Sequence, residues 1–185
     1  VYKRQLVGVS WSAWMLISPL LVQFSTLPRF CPTMPPTLVT PVTAAALMAL
    51  ADDGAVALDD PVSKYVPELK NMRVRSGEAV PDGKLTLRAI LCHTAGFAAM
   101  PPESSMPKLD AVPLSEQMKV FAKMPLEFFP GERHLYSNIG VNIIGRVIEA
   151  ASGTPYAEFV QKRILEPLGM RDTSFFPSAR QASRI

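Results

Sequence analysis

Cysteine and histidine are scarce in this chain of 185 residues, which holds two of each: Cys31, Cys92, His93 and His134. No pair of them has metal-ligand spacing, and neither histidine is matched with a carboxylate or thiol at a helical interval. The sequence therefore offers no zinc or iron site. Two cysteines allow a single disulfide and do not fix a redox compartment. A basic stripe is also missing: Lys and Arg exceed Asp and Glu by only 19 to 16, and the pI near 9.0 comes from scattered residues. That argues against a nucleic-acid partner. Nor is there an uninterrupted apolar run of the roughly 20 residues that a bilayer requires, because Ser10, Ser12, Ser18 and Pro19 break the run from Leu6 to Val22. Membrane association is not expected. What is present is 48% hydrophobic and 19% charged content, ordinary for a globular domain with a core of its own.

Two unequal parts follow one another, joining near Pro35 and Pro36. Residues 1–36 show neither strand nor helix periodicity, and two readings of them stand open. Lys3 and Arg4 ahead of the run from Leu6 to Val22 resemble a secretory signal without a small-x-small cleavage site, which would place the protein outside the cytoplasm. Alternatively, Val1-Tyr2-Lys3-Arg4-Gln5 resembles a translated sequencing adapter, which would make part of the segment non-native. Residues 37–185 are instead punctuated like a folded domain.

Beyond Pro41 the pattern predicts helices and turns. Val42 to Ala51 is rich in strong helix formers and is followed by Gly54, suited to a left-handed cap. Leu58-Asp59-Asp60-Pro61 reads as a turn. Thr86 is expected to cap a helix from Leu87 to Cys92, and Ser115 to cap one ending before Pro125. Asn138 is expected to cap Ile139 to Ala151, with Val141, Ile144, Val147, Ile148 and Ala151 on one face and Gly153 as the stop. Thr154 and Pro155 then read as N-cap and first residue of a helix through Leu165.

An ordered series of segments spans Pro41 to Pro177. It runs from Pro41 to Leu50, through Leu58 to Pro67, Leu85 to Gly96, Phe129 to Arg133, Tyr136-Ser137-Asn138 and Gly145 to Glu149, to Glu166 to Met170 with Asp172 and Thr173. In order and content this series resembles the serine β-lactamase and penicillin-binding-protein-like family. The Tyr-x-Asn second motif places it nearest the class C β-lactamase and carboxylesterase branch.

The resemblance implies an α+β fold, of which this chain carries the helical lobe while most of the antiparallel sheet is missing. It implies a partial domain over residues 37–185, truncated at its C-terminus, and a lobe edge that exposes apolar surface. It also implies a serine hydrolase that forms an acyl-enzyme with a small-molecule ester, β-lactam or D-amino-acid amide, without any cofactor. In that chemistry a helix-borne Ser-x-x-Lys sets an ammonium beside the nucleophilic hydroxyl, because residues three apart share a helix face. The helix N-terminus favours the developing negative charge, and a tyrosine shuttles the proton. Tyr136 matches that tyrosine, and Asn138 matches the residue that holds the lysine and touches substrate. On the residues alone, Asn138 is equally a helix cap and Tyr136 equally a packed aromatic.

The first motif departs from the family. Thr37 falls at the nucleophile position, where Ser is expected, and Thr40 at the lysine position, where Lys is expected. Threonine is a stiffer nucleophile and Thr40 supplies no amine, so the chain is expected to be inactive; a catalytically dead pseudoenzyme or binding module is the alternative. The literal Ser105-Met106-Pro107-Lys108 lies in a Pro-rich stretch where Pro107 opposes a helical turn, and is read as coincidence. No third Lys- or His-headed motif appears before Ile185. His93 is read as part of a helix end turning at glycine, not as a base, and His134 as a loop residue.

Overall fold

The computed structural model describes residues 36–105, 112–176 and 178, with side chains from Thr40 onward. Residues 1–35, including Cys31 and the signal-like run, and most of the Ser105-x-x-Lys108 stretch lie outside them. Among the described residues the chain is helices joined by turns, and its only β-type pairing is isolated bridges: Pro61 with Thr86, Arg73 with Ala79, and Val74 with Leu126. That agrees with the helical lobe expected, and no sheet accompanies it.

The first helix, α1, spans Pro36–Asp52, starting six residues before the Val42 that opens the Ala- and Leu-rich stretch. Pro41 lies inside it with no N–H to give to the carbonyl four residues back, and the helix tolerates this near its start. Its end is a Schellman turn: Gly54 at φ 73° donates to the Ala51 carbonyl and Ala55 to that of Leu50. One face of α1 buries Thr43, Ala46, Leu47 and Leu50, while Pro41, Ala45 and Met48 stay exposed.

The second helix, α2, spans Leu87–Leu91, with Thr86 as its cap accepting the Ala89 N–H. The third, α3, spans Leu114–Phe121 and is entered through Pro113, so Ser115 is a residue within it, not its cap. The fourth, α4, spans Asn138–Ser152. Its N-cap is Ser137, whose hydroxyl accepts the Gly140 N–H, and Asn138 is the first helical residue. The correction has a plain cause: Ser137 has the extended backbone that an N-cap needs (φ −139°, ψ 120°), which leaves the amide of Asn138 free for other work. The fifth, α5, spans Tyr156–Val160 and continues as a π-turn over Gln161–Leu165. Its entry residue is Pro155, not Thr154, because Pro155 itself is extended (ψ 139°).

Helix α4 is the axis of the core. Ile139, Ile143, Ile144, Val147 and Ile148 are buried, whereas Val141 and Ala151 of the predicted face are only half-buried. Around it lie Leu47 and Leu50 of α1, Leu87 and Ile90 of α2, Met118 and Phe121 of α3, and Phe159 and Val160 of α5. Each such aliphatic side chain contributes about 1.5–3 kcal/mol when removed from water. Close approach is set by glycine: a Cβ on Gly140 would stand 3.2 Å from Ile90 Cγ2, and one on Gly145 3.2 Å from Leu114 Cδ1.

The Asp59-Asp60 turn is stitched to the start of α2. Arg88 forks onto Asp59 at 2.7 and 2.9 Å, Leu87 N–H donates to the Asp60 carbonyl, and Arg88 N–H donates to that of Leu58. The Asp60 carboxylate accepts from Lys64, from the Tyr65 hydroxyl and from the Ala57 N–H. Those donors, Lys64 foremost, hold its pKa down at about 2.

Candidate active site

Tyr136 is delivered by a strap. Residues 133–137 run without helical structure into α4, alongside the segment that follows α2. Leu135 N–H donates to the His93 carbonyl at 2.8 Å, the Ser137 hydroxyl to the Ala98 carbonyl at 2.7 Å, and Asn138 N–H to the Ala99 carbonyl at 2.9 Å. Upstream, Gly131 N–H bonds the Thr94 carbonyl and Glu127 N–H the Gly96 carbonyl. Two chain stretches 31 to 42 residues apart in sequence thus satisfy each other's backbone groups and fix where the tyrosine leaves the main chain.

Gly96 is required for this pairing. Its φ is 87°, and a Cβ there would lie 2.3 Å from the Phe128 carbonyl oxygen. The preceding turn is made differently from its prediction. Helix α2 ends in a Schellman arrangement in which His93 N–H donates to Ile90 and Thr94 N–H to Ala89, so the left-handed residue is His93 itself, at φ 56°. The chain turns first on the histidine and only then on the glycine.

The Tyr136 phenol oxygen lies 3.1 Å from Thr40 Oγ1 of α1, and the hydroxyl is 3.4 Å from Asn138 Oδ1. The Asn138 amide in turn donates to the sulfur of Met100 at 2.8 Å. The two groups that the phenol reaches are therefore neutral. Thr40 stands one helical turn beyond Thr37, and both positions lie within α1. Of the residues singled out in the sequence, the structure brings Thr40, Tyr136 and Asn138 into one contact set. The side chain of Thr37 lies outside the description.

The set is open to solvent. Tyr136 is 40% and Met100 41% exposed, and two surface depressions of the described residues are lined by none of the contact set. One, of about 380 Å³, lies between Arg75, Glu127, Phe129 and Arg133; the other, of about 460 Å³, between Pro155, Glu158, Arg171 and Phe175. Inside the first, Arg75 forks onto Glu127 at 2.6 and 2.7 Å and lowers that carboxyl's pKa.

Sequence reasoning missed several participants. Met100 carries no motif and reaches Asn138 only through the fold. Ser137 was passed over between two conspicuous neighbours, although an extended serine ahead of an apolar helix is a cap signal. A part-buried pair links α1 to α5: Thr43 and the Tyr156 hydroxyl are 2.6 Å apart, and burial pushes the phenol's pKa up to about 12. That places Tyr156 in a structural role and leaves Tyr136 as the accessible phenol. His93 contacts Ser137, Tyr136 and His134. Among the described residues no three His, Cys, Asp or Glu side chains converge as a metal site would need, and no helix is long and apolar enough to cross a membrane. Cys92 is exposed at the end of α2.

Comparison with known proteins points in one direction. The family model described as Beta-lactamase matches residues 41–185. A Salmonella agona (strain SL483) protein carrying the name D-alanyl-D-alanine carboxypeptidase is 36% identical over 139 residues, covering 73% of this chain and 32% of its own length. The chain thus spans about a third of the curated relatives it matches. A D-stereospecific amidohydrolase from Streptomyces sp. superposes with a TM-score of 0.60 at 30% identity, over 74% of this chain and 42% of that one. A β-lactamase/D-alanine carboxypeptidase from Yersinia pestis, solved with citrate, superposes with a TM-score of 0.62 at 26% identity, over 80% and 41% of the two chains.

Proposed function

The chain belongs to the β-lactamase family, and from that premise we propose that the protein derives from serine hydrolases that work through an acyl-enzyme, with D-amino-acid amides as the substrate class. Esters and β-lactams are the other two chemistries the architecture accommodates, since fold alone does not select among them. The preference for D-amino-acid amides is supported by the names of the Salmonella and Streptomyces relatives.

The observation that carries the reading is the 3.1 Å contact between Thr40 and Tyr136, with Asn138 beside the phenol. It sets the residue one turn beyond Thr37 against the Tyr-x-Asn pair, the arrangement that acylation needs. In such a site the hydroxyl at position 37 attacks the acyl carbonyl, its proton passes to the lysine and tyrosine, and the tyrosine returns a proton to the leaving group. Asn138 holds the lysine and the substrate amide. Here Thr37 and Thr40 occupy the serine and lysine positions. Replacing members of a coupled unit lowers turnover by roughly 10⁴ to 10⁶, so the chain as it stands is inactive in this reading.

A second reading is favoured by the same contact. The place of an ammonium is filled by a neutral hydroxyl already satisfied by the phenol, which is what a binding protein without turnover would show.

One experiment separates the two. The full chain and its Thr37→Ser/Thr40→Lys variant are incubated with an activated p-nitrophenyl ester, and covalent adducts are sought by intact mass. The hydrolase reading expects an adduct on residue 37 of the variant and none on the parent. A folded variant that never acylates would sink it and leave the binding role.

A further inference from the structure

We propose that His93 is a positioning residue for the Tyr136-x-Asn138 pair: its neutral imidazole accepts the Ser137 backbone N–H and packs against the phenol ring, and protonation of the imidazole releases both. What that pair does rests on the reading above; how it is held does not.

His93 grips the strap on both sides of Tyr136. Its carbonyl accepts the Leu135 N–H at 2.8 Å, and its Nδ1 accepts the Ser137 N–H at 3.3 Å. Between those two bonds the rings of His93 and Tyr136 lie 4.5 Å apart, centroid to centroid, tilted by 42°. The backbone explains how one residue does this. At the end of α2 it takes a left-handed conformation, φ 56°, where glycine is the usual occupant, and the imidazole projects from that turn onto the strap. A residue there for the turn alone would be glycine. A histidine in a left-handed conformation whose ring accepts a backbone N–H indicates that the side chain is what is being used.

Because Nδ1 is an acceptor, the neutral ring carries its proton on Nε2. A proton added to Nδ1 would face the Ser137 N–H donor to donor, so the bond cannot survive ionisation. The titratable groups facing the ring are His134, at 5.9 Å and edge-on, and Tyr136, both on the strap. The paired segment 96–100 has no ionisable side chain, and Thr40 and Asn138 are neutral. Burial first, and the neighbouring His134 second, hold the His93 pKa below the ordinary histidine value.

The test is a nuclear magnetic resonance titration of the ¹⁵N-labelled full chain with His93→Gly and His93→Asn variants. Glycine keeps the left-handed turn and the Leu135 bond but removes the ring. The Ser137 amide is then expected to exchange up to about tenfold faster, the loss of one ordinary hydrogen bond, while the Leu135 amide stays as it was and the Tyr136 ring resonances shift. Asparagine, which tolerates the turn and offers a short acceptor, is expected to restore part of the protection without pH dependence. In the parent chain the Ser137 amide and the Tyr136 ring are expected to follow one titration, that of His93, as pH falls below 6.5. If His93→Gly leaves Ser137 exchange unchanged, or if the Ser137 amide ignores the His93 titration, the proposal is overturned. Neither readout needs turnover, so failure of the hydrolase reading would leave it standing.

Discussion

Thr40 Oγ1 and the Tyr136 hydroxyl lie 3.1 Å apart although 96 residues separate them in the chain. The contact joins the first helix to the strap that enters the central one. In the reading proposed above, it is the point at which the family's first and second motifs would meet, on a hydroxyl instead of an amine.

The first consequence concerns Tyr136. In the Thr37→Ser/Thr40→Lys background, Tyr136→Phe removes the hydroxyl proposed to relay the proton while keeping the ring against His93. Acylation by an activated ester is expected to slow by roughly 10² to 10⁴, the range for loss of a positioned general acid or base. The burst rate measured by stopped flow checks this, and an unchanged rate would remove Tyr136 from the proton path.

Ser137 and Asn138 are expected to separate cleanly in stability. Ser137→Ala deletes the cap of α4 and the bond to Ala98, and should cost about 1 kcal/mol or somewhat more. Asn138→Ala removes only a side-chain contact to Met100 and the phenol and should cost less than about 0.5 kcal/mol. Urea unfolding of the two variants decides the matter; the reverse order would return the cap to Asn138.

Gly96 has no tolerance for a side chain. With φ 87° and the Phe128 carbonyl 2.3 Å from the would-be Cβ, Gly96→Ala should destabilise by more than about 2 kcal/mol. Thermal unfolding monitored by circular dichroism reads it directly, with a melting temperature indistinguishable from the parent as the adverse result.

Acid should loosen the Asp60 turn. With its pKa held at about 2 against the ordinary carboxylate value of 3.8, Asp60 adds stability that is complete above pH 4 to 5 and is lost as pH falls towards 2. Its carboxylate is partly solvent-accessible, so the contribution after screening is about 1 kcal/mol or less. Asp60→Asn should therefore be less stable than the parent at pH 7 and equal to it near pH 2, which paired denaturation curves at both pH values measure.

How much was legible beforehand differs from residue to residue, for physical reasons. Thr86 was readable as a cap and Gly54 and Gly153 as helix stops, because each acts through bonds to residues only a few positions away. The cap expected at Asn138 is instead Ser137, since both residue types can cap and the choice depends on which is held extended by the neighbouring segment. Thr154 was likewise displaced by Pro155, whose fixed φ suits an entry residue as well as a first helical one. The helix formers from Val42 mark only the later part of α1, which begins at Pro36 and runs through Pro41. His93 was read as part of a turn completed by glycine, and nothing local announces that it occupies the left-handed position itself.

Taken by itself, the sequence determined the family, the order of the helical segments, most of their ends and the candidate positions Thr37, Thr40, Tyr136 and Asn138. The helices and their ends follow from composition and local capping chemistry, which act over a few residues, whereas the family and the candidate positions come from the resemblance carried by an ordered series of short segments. Only the tertiary structure decided that Thr40 touches Tyr136, that Met100 receives the Asn138 amide, and that His93 grips the strap. Those contacts join residues 38 to 96 positions apart, or bend a backbone into a conformation its residue type disfavours, and such choices are made by packing around α4 and by the pairing of buried backbone groups.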